Sequence, residues 1–454
     1  MHDELSIDEL SARTGEAIGR LREWHALGLI GRQGQASYTR VDVDRARFVQ
    51  LLLRRGVNPA ALAEAARAGT LDRWLRSYLD LRFADGGPVH TIDAAAAQAG
   101  MDPLLARRLW SGIGLGDPGD LLSARDVELL RGCAVALEAG FPEAALIQLL
   151  RVYADALARV AEAGQRLFHF HVFERLRADG TPDGELDTHD SAYGQRLLPL
   201  IEPALAYFHH QGHVRAERDD ALTHLAQELG ATQPREQLGE LLCAVVFVDL
   251  ASFTPLAEAM GDVKAAEVLE QFGRIVREAT TLWAGRVVKQ IGDAFMLVFA
   301  EPRSAVHCAL AIESRLAEQS NFPAARSGVH WGPALYREGD YVGSTVNIAA
   351  RVAAAAGRHQ VLVTAAARHE AAGLEGVGFT PHGHHRLKGF TDAMELFEAR
   401  PLDVPHYDRL LDPVCRMELV PDEVAYRLAF GGTERAFCSE ACLRRFVANP
   451  DAYA

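Results

Sequence analysis

The sequence predicts a multidomain chain in which all-α modules precede an α+β sheet domain and a small cysteine-containing segment. The length of 454 residues exceeds what one hydrophobic core usually supports. Apolar residues follow a helical period through the first half, and from residue 240 buried-strand runs alternate with amphipathic helices. Three of the six cysteines fall in the last forty residues. We expect four regions, at 1–75, 86–235, 236–400 and 405–454.

An internal repeat defines the first two regions. The segment "SIDELSARTGEAIGRLREWHALGL" aligns with "TIDAAAAQAGMDPLLARRLWSGIGL" further along the chain. Each copy predicts a short helix, a tight turn and a second helix that ends at Trp24 or Trp110, then a helix opened by Asp42 or Asp126. The stretch "FADGGP" within 76–90 reads as the linker between two helix-turn-helix modules.

Residues 143–230 are predicted to be mostly helical, because apolar residues recur at intervals of three and four. Histidines are frequent there, and histidine titrates near neutral pH. They form either a proton-sensitive cluster or, as we expect, ordinary helix-interface and solvent-facing positions. The histidines concerned are His169, His171, His209, His210 and His213.

The third region reads as a sheet domain. The run "LLCAVVFVDL" predicts a buried strand, and "GRVVKQIGDAFMLVF" predicts two strands that meet at Gly292. Further strands are expected at "RSGVHW", "QVLVT" and "MELFEA", with helices at about 304–319 and at "STVNIAARVAAA". This alternation favours an α+β domain with helices on one face of the sheet.

Two carboxylates interrupt the apolar strands. Asp249 ends "AVVFVD" and Asp293 follows the glycine of the hairpin. A buried ionised carboxylate is costly unless a positive charge compensates it. Two of them at adjacent strand ends suit a hard divalent cation such as Mg²⁺ or Mn²⁺. The alternative is that each only caps a turn or a helix.

The motifs "FVDLASFT", "VVKQIGDAFMLVF", "GVHWG" and "GDYVGSTVNIAAR" resemble, in order and separation, those of the class III nucleotidyl cyclases. The resemblance covers about residues 240–400 and implies a ferredoxin-like α+β catalytic domain. It implies that Asp249 and Asp293 bind two metal ions in each active site. It also implies that Lys289 and Asp340 read the purine, since a lysine donor and an aspartate acceptor complement adenine. A local salt bridge between Lys289 and Asp293 is the simpler alternative for their spacing.

The same resemblance assigns three further residues. Asn347 corresponds to the family's ribose-orienting asparagine and Arg351 to its transition-state arginine, and their spacing of four places them on one helix face. Lys388 in "RLKGF" corresponds to a lysine that approaches the triphosphate. The family builds each site from two cyclase domains, so a chain with one such domain is expected to act as a homodimer.

The expected function is therefore conversion of ATP to 3',5'-cyclic AMP and pyrophosphate. The alternative is a DNA-binding regulator whose cyclase-like domain serves nucleotide binding or dimerisation.

The first region resembles the MerR-type winged helix-turn-helix. In that family the second helix enters the major groove and the wing touches the DNA backbone. Residues 1–75 contain eleven Lys plus Arg and ten Asp plus Glu, which is not a strongly basic face. We therefore favour a protein-binding or regulatory role over DNA binding. The candidate DNA contacts are Arg20, Arg22, Arg32, Tyr38 and Arg40.

The second repeat and the helices after it resemble the regulatory region of some soluble bacterial cyclases, and we expect a dimerisation and signal-transmitting module there.

The last region resembles a YHS domain, a small fold related to metal-binding TRASH modules. It carries Cys415, Cys438 and Cys442 in the spacing C-x22-C-x3-C. Thiolates suit Zn²⁺ or Cu⁺. No fourth ligand is evident, and Arg416 stands where the family usually has glycine. Packing without metal is the alternative.

Charge and hydropathy exclude two broad classes. The formal net charge of -14 argues against a generic nucleic-acid binder. No apolar run approaches the roughly 18 to 20 residues that span a bilayer, and the acidic start "MHDELSIDEL" is unlike a signal peptide. We expect a cytoplasmic protein without membrane contacts.

Overall fold

The structure is a computed structural model that describes residues 4–453 except for 33, 35–36, 83–89, 116–121, 231–238 and 404–408. The chain divides into two compact units, Met1–Glu174 and Arg175–Ala454. The stretch "FADGGP" of the predicted linker, and the predicted starts of the last three regions at 86, 236 and 405, lie outside the described residues. Among the described helices, none combines the length and the apolar run needed to cross a membrane.

The first module is helical, and Leu5 and Tyr38 form a two-residue β contact in it. Its helix after the turn begins at Arg40 rather than at Asp42. Asp42 occupies the third helical position, where its carboxylate accepts the N–H of Thr39 at 2.7 Å and closes a capping box. The helices are α1 (Ile7–Thr14), α2 (Ile18–Ala26), α3 (Arg40–Arg54), α4 (Pro59–Arg67) and α5 (Thr70–Arg82).

The second module repeats this arrangement. His90 and Leu122 form the matching β contact. Asp126 again lies at the third helical position and accepts the N–H of Ser123 at 2.7 Å. The structure thus confirms the repeat and corrects the start of the third helix in both copies. The helices are α6 (Ile92–Ala99), α7 (Pro103–Ile113), α8 (Ala124–Glu138) and α9 (Glu143–Phe168), followed by a π-helical turn at His169–Phe173 and by α10 (Glu174–Ala178).

The long helix of the second unit is α11 (Asp183–Glu228), in agreement with the helical prediction for 143–230. His209, His210 and His213 on this helix are exposed.

The sheet domain is a single mixed sheet. Its strands are β1 (Glu240–Leu250), β2 (Arg286–Ile291), β3 (Ala294–Phe299), β4 (Ala325–Arg337), β5 (Asp340–Val342), β6 (Gln360–Thr364), β7 (Val377–His385) and β8 (Met394–Pro401). Its helices are α12 (Phe253–Met260), α13 (Asp262–Leu282), α14 (Pro302–Ala317), α15 (Ser344–Ala355) and α16 (Ala365–Glu370). The strand order is β2-β3-β1-β4-β6-β8-β7, with β5 paired to β4.

Helices cover both faces of this sheet, so the prediction of helices on one face is wrong. Alternate residues of β1, such as Val246 and Val248, pack with α13 and α14 in one core. Val245, from the opposite face, clusters with Ala349 of α15. Gly328 of β4 lets α15 approach closely, because a Cβ there would lie 2.1 Å from the backbone nitrogen of Ala353.

The tail is a small domain of two short β pairs and one helix. Its elements are β9 (Leu410–Leu411), β10 (Glu418–Leu419), β11 (Tyr426–Phe430), β12 (Thr433–Phe437) and α17 (Glu440–Ala448). Its apolar core includes Phe437 and Phe446, and it is continuous with Leu256 and Ala259 of α12. The tail is therefore packed directly on the sheet domain.

Candidate active site

Asp249 and Asp293 lie together at one end of β1. The hairpin between β2 and β3 turns at Gly292, whose positive φ of 63° favours glycine. Asp293 is the next residue, and its neighbour Ala294 pairs with Asp249 across the sheet. Burial and the adjacent Asp249 carboxylate raise the pKa of Asp293 to about 6. Two negative charges this close repel each other, and a bound cation would offset that repulsion.

Arg326 supplies positive charge to this pair. It stands opposite Asp249 in the β1–β4 register. Its guanidinium donates to Oδ2 of Asp249 from Nη2 at 2.6 Å and from Nε at 3.1 Å. The charge of Arg326 also lowers the pKa of Asp293, although burial and Asp249 outweigh it.

Lys289 of β2 and Asp340 of β5 lie on strands that do not pair with each other. The lysine Nζ donates to Oδ2 of Asp340. The other oxygen of Asp340 accepts the N–H of Tyr341 at 2.8 Å. Arg286, on the same strand as Lys289, donates to the Tyr341 hydroxyl at 2.6 Å and so ties β2 to β5. Lys289 thus pairs with Asp340, and the alternative of a salt bridge to Asp293 is wrong.

Asn347 and Arg351 lie one turn apart on α15, and both are exposed. Ile348 and Val352 form the buried side of that helix. No side-chain hydrogen bond of Asn347 or Arg351 is found among the described residues, so both polar groups are available to a ligand. Lys388 is exposed in the turn after β7.

The three tail cysteines converge as their spacing suggested. The Sγ of Cys438 lies 3.5 Å from that of Cys415 and 3.6 Å from that of Cys442. Hydrogen bonds from Cys415 and Cys438 hold the pKa of the Cys442 thiol far below its ordinary value. A thiolate there is also favoured by its place in the first turn of α17.

Asp412 is a fourth residue of this cluster, and the sequence did not reveal it. A ligand atom from each of the four residues lies within 4.8 Å of the others. Its buried carboxylate accepts the N–H groups of Val414 at 2.8 Å and of Cys438 at 2.8 Å. Asp412 therefore joins the two chain segments that carry the cysteines.

The N-terminal candidates for DNA contact divide into exposed arginines and a buried tyrosine. Arg20, Arg22 and Arg32 are exposed, and Arg20 pairs with Glu16 at 3.4 Å. Arg40 is half-buried at the start of α3. Tyr38 is only 4% exposed and packs in the module core, so its assignment as a DNA contact is not supported by its placement.

Two site residues escaped the sequence analysis, Arg326 and Asp412. Each acts on a partner that is distant along the chain, 77 residues for Arg326 with Asp249 and 26 for Asp412 with Cys438. Arg326 could have been recognised in the sequence as a charged residue at the start of the otherwise weakly polar strand "ARSGVHWG".

Comparison with known proteins identifies three family models along the chain. The model for the adenylate and guanylate cyclase catalytic domain matches residues 241–398. The model for MerR helix-turn-helix family regulatory proteins matches residues 5–69, and that for the YHS domain matches residues 410–454.

Relatives match long stretches of the chain. An uncharacterized protein of Mycobacterium tuberculosis is 31% identical over 378 residues, which are 80% of this chain and 93% of the relative. A pH-sensitive adenylate cyclase of the same species is 29% identical over 366 residues, 79% of this chain and 88% of the relative. An adenylate cyclase of Streptomyces coelicolor is 29% identical over 62% of this chain and 71% of the relative. The chain belongs to the class III nucleotidyl cyclase family.

Proposed function

We propose that the protein is an adenylate cyclase that converts ATP to 3',5'-cyclic AMP and pyrophosphate. The observation that carries the substrate choice is the Lys289–Asp340 pair, which offers a donor and an acceptor side by side. Adenine presents a ring acceptor next to an exocyclic amino donor, so the pair is complementary to it. Several relatives that bear the name adenylate cyclase support the same choice.

The carboxylates of Asp249 and Asp293 fit a site for two Mg²⁺ or Mn²⁺ ions. Both are oxygen ligands of the kind these ions prefer, and the raised pKa of Asp293 reflects its burial and the adjacent Asp249 charge, which a cation would offset. When bound, such ions would lower the pKa of the ribose 3'-hydroxyl and offset the charge of the phosphates.

The reaction joins the 3'-oxygen to the α-phosphorus and breaks the bond between that phosphorus and the oxygen bridging to the β-phosphate. Pyrophosphate leaves, and the hydroxyl proton passes to solvent. Asn347 would orient the ribose by hydrogen bonding. Arg351 would stabilise negative charge that develops on the transferring phosphate. Lys388, as an exposed flexible cation, would contact the triphosphate, and Arg326 would hold Asp249 in place.

We propose a homodimer with two sites, each using Asp249 and Asp293 from one protomer and the base-reading and transition-state residues from its partner. Symmetry makes both sites equivalent.

The decisive experiment compares the purified chain with its Asp293→Ala variant, using ATP or GTP and Mn²⁺ and measuring the cyclic product. Cyclic AMP above the variant, with ATP preferred, is expected. A folded, dimeric wild-type protein that makes no more cyclic AMP than Asp293→Ala would refute the assignment.

The chain offers an independent test of the ATP site, because it has only three lysines, Lys264, Lys289 and Lys388. An amine-acylating reagent should modify all three, and mass spectrometry can quantify each. Bound Ca²⁺ with ATP should protect Lys289 and Lys388 but leave Lys264, exposed on α13, as the internal control. Equal modification of all three lysines with and without nucleotide would contradict the site.

The tail cysteines, with Asp412, are proposed to bind Zn²⁺ or Cu⁺, since three sulfur atoms within a few ångströms suit a soft ion. Metal analysis of the full-length protein should find about one equivalent that disappears in the Cys438→Ser, Cys442→Ser variant. If both proteins contained the same amount of metal, the ion would not be bound by these cysteines.

A second candidate function is DNA binding by the N-terminal module, which the MerR family match favours. The exposed Arg20 and Arg22 on α2 would carry it. Binding to duplex DNA that weakens with salt and is lost in the Arg20→Ala, Arg22→Ala variant is expected; equal binding by both proteins would reject this role.

A further inference from the structure

The tail domain contacts the sheet domain through polar groups around Glu418. Glu418 of β10 accepts a hydrogen bond from Arg358 Nε at 3.1 Å. Its second oxygen lies 2.6 Å from Nε2 of His359. Arg358 also donates to the carbonyl of Arg416 at 2.9 Å, so the tail is held from two points.

His359 is held on both sides by acids. Its Nδ1 lies 3.4 Å from the buried Glu313 of α14, opposite Glu418. Its backbone adopts a positive φ of 55°, which is uncommon for a residue with a side chain. Such a conformation persists when neighbouring contacts hold it, and here Glu313 and Glu418 provide them.

The backbone of His359 leads directly to the candidate active site. Its N–H donates to the carbonyl of Ala325 at 2.8 Å. The following residue in β4 is Arg326, whose guanidinium holds Asp249. Glu418 is therefore linked to Asp249 by three successive contacts. These are its bond to the His359 side chain, the backbone hydrogen bond from His359 to Ala325, and the ion pair of Arg326 with Asp249.

A second contact reaches the same strand end. Glu418 forms an isolated β contact with Phe322, three residues before Ala325. The carbonyl of Ala324 in turn accepts the N–H of Ala251 at 2.7 Å, two residues after Asp249. The segment that leads into β4 therefore contacts the tail through Phe322. The same segment bonds through Ala324 to the turn that follows Asp249.

We propose that Glu418 is a positioning residue for the cyclase reaction, one that aligns Arg326 and Asp249 by holding Arg358 and His359. The inference rests on the proposed cyclase function. It makes the tail domain a structural part of the catalytic centre, because an acid outside the family's catalytic motifs supports one of the carboxylates inside them.

The test replaces Glu418 with glutamine in the full-length protein. Glutamine keeps the size and one acceptor oxygen but loses the charge opposite His359. Glu434→Gln is the matched control, since Glu434 lies in the same domain and pairs at 2.7 Å with Arg427 within the β11–β12 hairpin. Both variants are assayed for cyclic AMP formation over a range of Mn²⁺ concentrations.

Residues that support a metal ligand typically change metal affinity or activity about 10- to 100-fold, and Glu418 acts one contact further out. We expect Glu418→Gln to raise the Mn²⁺ concentration for half-maximal activity roughly three- to tenfold, with a smaller change in kcat at saturating Mn²⁺. Glu434→Gln should behave as wild type. Equal Mn²⁺ dependence in the two variants would overturn the proposal.

Hydrogen–deuterium exchange gives a readout that does not depend on activity. Glu418→Gln should exchange faster than Glu434→Gln at residues 322–327 and 356–361, and unchanged protection there would also overturn the proposal. If Glu418→Gln does not fold, Arg358→Lys removes part of the same contact and replaces it in both measurements. Wild-type protein without cyclase activity would refute the proposed function, whereas the exchange comparison would still decide whether Glu418 orders the backbone around Arg326.

Discussion

The base-reading role of Lys289 and Asp340 can be tested by exchanging them for glutamate and cysteine, the residues that the family resemblance assigns to guanylyl cyclases at these positions. The variant is Lys289→Glu with Asp340→Cys. In the wild-type structure the two side chains bond to each other and are 37% and 36% exposed, so both are accessible to a base. The variant removes the donor and the acceptor that adenine needs.

The free energy that the variant loses in binding ATP in the transition state is estimated from two hydrogen bonds and one ion pair. Each hydrogen bond that involves a charged group contributes about 1.5–3 kcal/mol, so two contribute about 3–6 kcal/mol. ATP must first open the Lys289–Asp340 ion pair, which at this exposure is worth about 1 kcal/mol or less. The remaining loss of about 2–5 kcal/mol corresponds to a fall in kcat/KM for ATP of roughly 30- to 5,000-fold.

The assay measures initial rates of cyclic product with Mn²⁺ and either ATP or GTP. Lys264→Glu repeats the lysine-to-glutamate exchange at an exposed position of α13, where Lys264 pairs with Glu267 at 2.7 Å, and it should leave kcat/KM unchanged. The ratio of ATP to GTP use should also fall in the double variant. A drop in kcat/KM for ATP of less than about tenfold, with the ATP preference intact, would refute the base-reading role.

Three further predictions concern charge around the site and the tail contact. Asp293→Asn should lower cyclase activity at least about a hundredfold yet raise the melting temperature at pH 7. The reason is that the raised pKa of Asp293 makes the wild type lose stability as pH rises from 3.8 to about 6; an unchanged or lower melting temperature would contradict it. Arg326→Gln should shift the acid limb of the pH–activity profile upward, since its charge favours ionised Asp293; an unmoved limb would argue against that influence. For His359, burial lowers the pKa, but bonds to two acids outweigh it and raise the pKa to about 9. Its stabilising contribution is therefore complete below pH 6.5 and lost as pH rises through about 9, and His359→Gln should flatten the melting temperature over that window.

Sequence reasoning could propose most residues of the candidate site because they lie in long contiguous motifs whose local structure is simple. The turn at Gly292 and the helix that carries Asn347 and Arg351 follow from a few neighbouring residues each. Arg326 was missed because its role depends on the register of β4 against β1, which aligns residues 77 positions apart. A pattern of apolar residues does not specify which residues of two strands are partners.

The sequence contained evidence against the wrong prediction that helices cover only one face of the sheet. Residues 243–246 of β1 are all buried. A continuous apolar run of this kind is typical of a strand covered on both sides, whereas a strand with one solvent face alternates. The run "LLCAVVFVDL" therefore favoured helices on both faces.

The hairpin at Gly292 carries two charges with separate partners, Lys289 with Asp340 and Asp293 with Asp249. In the proposed dimer these charges serve different active sites. A mixture of two inactive variants tests this division, the Lys289→Glu, Asp340→Cys protein and the Asp293→Asn protein. A mixed dimer would contain one doubly damaged site and one intact site.

If equal amounts of the two variants are unfolded together and refolded, half of the dimers are mixed and each has one intact site of two. The mixture should therefore recover about a quarter of the wild-type activity, because the two sites of the dimer are equivalent by symmetry. Refolding each variant alone, at the same total concentration, is the control and should recover only the low residual activity of that variant. If each protomer instead formed a complete site by itself, every site would keep one of the two defects, and the mixture would be as inactive as its components.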